Sequence, residues 1–133
     1  MLPDRPEPGA AADWLRHARS DLALARVSRT ADLLLETLCY HAQQAAEKSI
    51  KAVLLSQAIP FPRTHNLKVL LELLPPTCAV PHAVAKSVAL TDYAVMSRYP
   101  GKYEPVTEDE YRSALAAAEA VLVWAESLLI ASS

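Results

Sequence analysis

The chain has 133 residues, enough for one hydrophobic core and too few for two comfortable domains. Apolar residues make up 52% of it, with one Phe and two Gly, a composition that favours close-packed helices over sheet. A formal charge of −2 excludes a global electrostatic pull on nucleic acid, so any phosphate recognition must come from a local basic cluster.

Prolines punctuate helices, and the ten here delimit the elements. Residues 1–11 read as a disordered tail, because Pro3, Pro6 and Pro8 stand where a secretory signal would need an apolar core. Residues 12–133 then form the single domain. Asp13 can cap a first helix that runs to about residue 27, with Leu15, Ala18, Leu22 and Ala25 on one face. After a break near residues 28–31, a second helix over residues 32–57 extends about 39 Å. Asn66 caps a short third helix, residues 67–74, which Pro75-Pro76 ends. Pro81 suits the first turn of a fourth helix reaching about residue 97, and Pro100-Gly101 forces a turn. Thr107-Glu108-Asp109-Glu110 has the pattern of a capping box and opens a fifth helix with the stripe Tyr111, Leu115, Ala118, Leu122, Ala125 and Leu129.

No strand candidate survives, so the predicted fold is an all-α, up-and-down bundle of four longer helices and one short one. The apolar stretch of residues 114–131 carries Glu119 and Glu126 and reads as a buried helix, not a membrane span. Val121, Trp124 and Leu128 beside its main stripe leave more apolar surface than one bundle face covers, which predicts a homodimer. Cys39 and Cys78 are too few for a disulfide framework and fit a reducing cytoplasm.

Within the second helix, Thr37, His41, Gln44, Lys48 and Lys51 project into one sector of about 80°. Leu35, Leu38, Ala42, Ala45, Ala46, Ser49 and Val53 gather on the other side as the core stripe, so the polar stripe is either a solvated face or a site. Lys48 and Lys51 can present two charges to a phosphate, or snorkel at a solvated edge. Glu47, at the stripe's border, is better placed to pair with a neighbouring Lys than to act as a general base. His65 can add a donor to an anion site, or pack in its loop while Thr64 or Asn66 supplies the cap. Arg98 beside Tyr99 offers a phosphate fork and a stacking ring, or a charge that complements a helix C-terminus. The histidines and cysteines show no paired metal-ligand spacing, and no cofactor motif is present.

Three segments together resemble the HEPN domain family, small helical bundles named for nucleotide binding. They are Gln43-Gln44-Ala45-Ala46-Glu47-Lys48, the Thr64-His65-Asn66-Leu67 turn and the Arg98-Tyr99-Pro100 step, preceded by Ala18-Arg19-Ser20-Asp21-Leu22 as an opening helix. Many members are metal-independent ribonucleases with an Arg, four to six intervening residues, then a His on one helix. No Arg here has a His at that spacing, so the sequence departs from that pattern. It is closer to the subfamily with the Arg-Tyr-Pro step, which accompanies a small nucleotidyltransferase in two-component systems of toxin-antitoxin type.

The resemblance implies a nucleotide or RNA phosphate held by Gln44, Lys48, Lys51, His65, Arg98 and Tyr99, and a nucleotidyltransferase partner. The competing readings are a metal-independent endoribonuclease using Arg98 and His65, and a non-catalytic helical interaction module. The missing Arg-to-His spacing leans against an enzyme.

Overall fold

The computed structural model describes residues 10–27, 30 and 32–131, and all regular structure in them is helical. The chain runs through α1 (Ala11–Ala25), α2 (Leu35–Ser56), α3 (Leu67–Glu72), α4 (His82–Ala85), a 3-10 segment η1 (Lys86–Leu90), α5 (Thr91–Met96) and α6 (Glu108–Ala131). Because α4, η1 and α5 follow one another without a gap, they form a single helical run, and the bundle has four longer helices and one short one. The 3-10 stretch divides what the prolines mark as one helix. It tightens the run where Ser87 and Leu90 are buried against the core, with the Ser87 hydroxyl donating to the Val84 carbonyl at 2.6 Å.

Helix α2 is the central element and packs chiefly on α1 and α6. Leu22, Leu38, Ile50, Leu54, Leu67, Leu70, Val84 and Val121 are all fully buried around it. The small side chains of Ala42, Ala45, Ala46 and Ala52 are likewise inaccessible, letting the neighbouring backbones approach closely. Arg19 to Glu126 at 2.7 Å and Arg26 to Glu119 at 3.1 Å bridge α1 to α6 along the rim. Helix α6 is long and apolar enough to cross a membrane by length and composition, and here it lies against α2 with Ala118, Val121 and Ala125 buried.

The helix ends follow their side-chain chemistry in two places. Asn66 accepts from the Lys68 and Val69 amides. Thr107 and Glu110 exchange side-chain to backbone hydrogen bonds at 2.9 and 3.1 Å, a complete capping box. Asp13 does not cap α1. The alanines before it are strong helix formers, so α1 begins at Ala11 and Asp13 sits in its first turn, paired with Arg16. At the end of α2, Ile59 donates to the Leu54 carbonyl and Ala58 to that of Leu55, a Schellman closure that sets Ala58 at φ +57°.

The stripe of α6 is rotated from its expected course. Ala114, Ala118, Val121, Leu122, Trp124 and Ala125 are buried, while Tyr111, Leu115 and Leu129 are half-buried. The α4–η1 run covers one side of α6, and the Trp124 indole donates to the Ala79 carbonyl at 3.3 Å. Val121 and Trp124, two of the three residues from which the dimer was expected, are therefore covered within the chain. The N-terminal tail and most of the expected break at residues 28–31 lie outside the described residues.

Candidate functional site

The polar stripe of α2 turns inward from His41 onward, with Gln44 and Lys51 buried and His41 and Lys48 half-buried, while Thr37 stays exposed. Helix α1 lies beside α2, and Gln43, Gln44, Glu47 and Lys51 are all buried. Charges withdrawn from water need partners, and two carboxylates organise them. Glu47 Oε2 accepts from Lys51 Nζ at 2.8 Å, and Oε1 from His65 Nδ1 at 2.8 Å and Gln43 Nε2 at 3.0 Å. Gln43 Nε2 also reaches the His65 carbonyl at 3.1 Å, and Gln44 donates to Gln43 Oε1 at 2.7 Å. Burial by itself would push the Glu47 carboxyl up, but the bonds from Lys51, Gln43 and His65 and the Lys51 charge outweigh it and hold the group below its ordinary 4.5. An ionised carboxylate only accepts, so His65 Nδ1 carries a proton and the remaining ring nitrogen, Nε2, is the one left for other partners. The His65 side chain is 45% exposed, so this network has one solvent-facing member. Lys51 also lies 5.4 Å from the Trp14 ring centre and 5.6 Å from that of Phe61, two rings packed edge to face, which ties α1, α2 and the segment before α3 together.

The second carboxylate is Asp21 of α1, buried on the helix's core-facing side. Its Oδ1 is 3.0 Å from His41 Nδ1 and its Oδ2 is 2.5 Å from Lys48 Nζ. Sequence reasoning did not assign Asp21 this part, although a signal was present: it falls in register with Ala18, Leu22 and Ala25, and an acid on a core stripe requires a partner.

Past α5 the chain folds over the N-terminal end of α2, where Glu36 Oε1 accepts the Val106 amide at 2.9 Å. Gly101, at φ +78°, makes the turn after Pro100. Between this segment and α2 lies a cavity of about 340 Å³ lined by Glu36, Thr37, Tyr40, Met96, Tyr99, Tyr103 and Glu104, among others. Arg98 is exposed, and its side chain has no hydrogen bond or ion pair among the described residues.

The structure thus gathers Gln44, Lys48, Lys51 and His65 on or against one face of α2, with their polar groups engaged by Asp21, Gln43 and Glu47. It does not join Arg98 or Tyr99 to that network by any contact among the described residues. Thr91 Oγ1, at the start of α5, accepts the Leu67 amide beside His65 at 3.1 Å. Seven residues of helical rise, about 10 Å, then separate Thr91 from Arg98. Cys39 is pushed up to about 11 by burial, against a smaller lowering from the Tyr93 hydroxyl, and is unsuited to nucleophilic work. No three His, Cys, Asp or Glu side chains among the described residues converge to hold a metal ion.

A family model described as the HEPN domain matches residues 11–128. Two crystal structures share the fold at high similarity. TT1696 from Thermus thermophilus is 30% identical with a TM-score of 0.76, the match covering 90% of this chain and 98% of that one. ST0689, described as an archaeal HEPN homologue, is 28% identical with a TM-score of 0.69, covering 89% of this chain and 96% of that one. Among curated proteins nothing matches. With a match across nearly the whole folded region and two solved structures of the same architecture, the chain belongs to the HEPN domain family.

Proposed function

We propose that this protein binds a nucleotide or RNA phosphate and acts in the cytoplasm with a nucleotidyltransferase partner, in a two-component system of toxin-antitoxin type. The observation that supports this reading is the presentation of His65. A buried, ionised Glu47 fixes its ring through Nδ1, so Nε2 is pre-oriented toward a ligand and donates to a phosphate oxygen when the ring carries both protons. Exposed Arg63 and Lys68 flank it and supply the local positive charge that the overall balance lacks. Lys48 and Lys51 are satisfied by carboxylates and serve to hold the network, while the exposed Arg98, just past the end of α5, provides a second phosphate contact.

Calorimetry with a single-stranded RNA and, separately, with ATP tests the reading. His65→Ala and Arg98→Glu should each weaken binding by about 1–3 kcal/mol while circular dichroism stays unchanged. Parent-like affinity in the double variant would reduce the cluster to a structural one. Co-purification with the product of a neighbouring nucleotidyltransferase reading frame tests the partner.

The held ring of His65 also favours a second reading, a metal-independent endoribonuclease. A carboxylate-held imidazole with its other nitrogen exposed is the arrangement of a general base.

A further inference from the structure

The cavity between α2 and the segment after α5 has a chemistry unlike that of the His65 surface. Three tyrosine rings, Tyr40, Tyr99 and Tyr103, share its wall with the carboxylates of Glu36 and Glu104, and no Lys, Arg or His side chain belongs to the lining. Glu36 uses one oxygen to hold the Val106 amide, and no bond among the described residues engages the other. Such a pocket is rich in acceptors and poor in nitrogen donors, so it repels phosphate and suits a donor-rich cation. The aromatic wall already attracts one: Lys102, outside the lining, sets its ammonium 5.4 Å from the Tyr99 ring centre.

The rim indicates where that cation comes from. Leu34 is 60% exposed, Tyr99 51% and Tyr103 44%, and exposed apolar groups gathered around a mouth are what a protein surface covers on docking. At about 340 Å³ the cavity is at the small end of ligand sites and suits a single inserted side chain. A planar guanidinium stacks on tyrosine and forks onto a carboxylate, which a compact ammonium cannot do. We propose that this cavity is a docking pocket for an arginine side chain of a partner protein. Of its residues only Tyr99 belongs to the set expected at the nucleotide site, and Tyr40, Tyr103, Glu36 and Glu104 take no part in that reading, so either assignment can fail without the other.

The test is an NMR titration of the full chain, following the ring signals of Tyr40, Tyr99 and Tyr103. The probes are acetyl-Ala-Arg-Ala-amide, the same peptide with uncharged citrulline, and ATP. The arginine peptide should shift these rings and bind at least about tenfold more tightly than the citrulline peptide. Glu104→Gln, at an exposed position that leaves the fold intact, should weaken the arginine peptide severalfold and leave the citrulline peptide unaffected. Equal affinity for the two peptides, rings unmoved by the arginine peptide, or the Tyr40 and Tyr103 rings shifted by ATP instead would each overturn the proposal.

Discussion

Glu47 carries the most consequence of any single residue, because Lys51, Gln43 and His65 all converge on it. Glu47→Gln would leave the Lys51 ammonium buried without its counter-charge, and about 3–5 kcal/mol of stability should disappear in urea unfolding. The effect depends on pH with a fixed sign. A carboxyl held below 4.5 contributes stability that is complete above that value and is lost as pH falls through the lowered one, so parent and Glu47→Gln should converge in stability toward strong acid. The cysteines allow a separate check. Cys39 is buried with its thiol pushed up to about 11, whereas Cys78 is half-buried. Native protein at pH 8 should therefore react with Ellman's reagent through Cys78, and Cys39 should follow only on unfolding. At this scale the sequence pointed to a neighbouring Lys as the partner of Glu47, and the structure shows it to be Lys51, four residues on along the same helix. It concealed the grip of Asp21 on His41 and Lys48, which spans 20 and 27 residues and depends on how α1 is laid across α2.

Among the elements, α6 shows how local chemistry and packing divide the work. Its start is fixed by the Thr107–Glu110 capping box, and Thr107→Ala should cost about 1 kcal/mol, read as a fall in melting temperature. Its rotation is fixed by neighbours instead. The heptad-like stripe through Tyr111 and Leu129 looks the most apolar, yet Val121 and Trp124 are buried because α4 and η1 pack on that side. The proline and cap signals located every longer helix to within a few residues. They missed the 3-10 turn in the run from His82 to Met96, since no residue type marks it. Asp13 failed as a cap signal because preceding alanines extend the helix past it.

For the whole molecule, the lack of any contact between Arg98 and the His65 network among the described residues sets an expectation about catalysis. Cleaving RNA without metal needs a base at the ribose 2′-hydroxyl and a cation at the same phosphate. Arg98 has no His at the spacing that would set both on one helix, and no contact among the described residues joins it to His65, so the isolated protein should show little or no ribonuclease activity. A cleavage assay in EDTA on structured and single-stranded RNA checks this. Activity abolished by both Arg98→Ala and His65→Ala would promote the enzyme reading. Association is a second whole-molecule matter. Val123 at 64% and Ile130 at 74% exposure remain uncovered on α6, and light scattering at micromolar concentration should give a dimer mass.

The left-handed Ala58 has an implication for how far this sequence is from its own stability ceiling. A methyl group at φ +57° costs about 1–2 kcal/mol that a glycine would not incur, and the Schellman bonds around it keep the backbone there regardless. Evolution has left an improvement untaken at one exposed position. Ala58→Gly should raise the melting temperature by a few degrees even though it enlarges the freedom of the unfolded chain. It would serve as a compensating background in which destabilising variants of the buried network could still be purified and assayed.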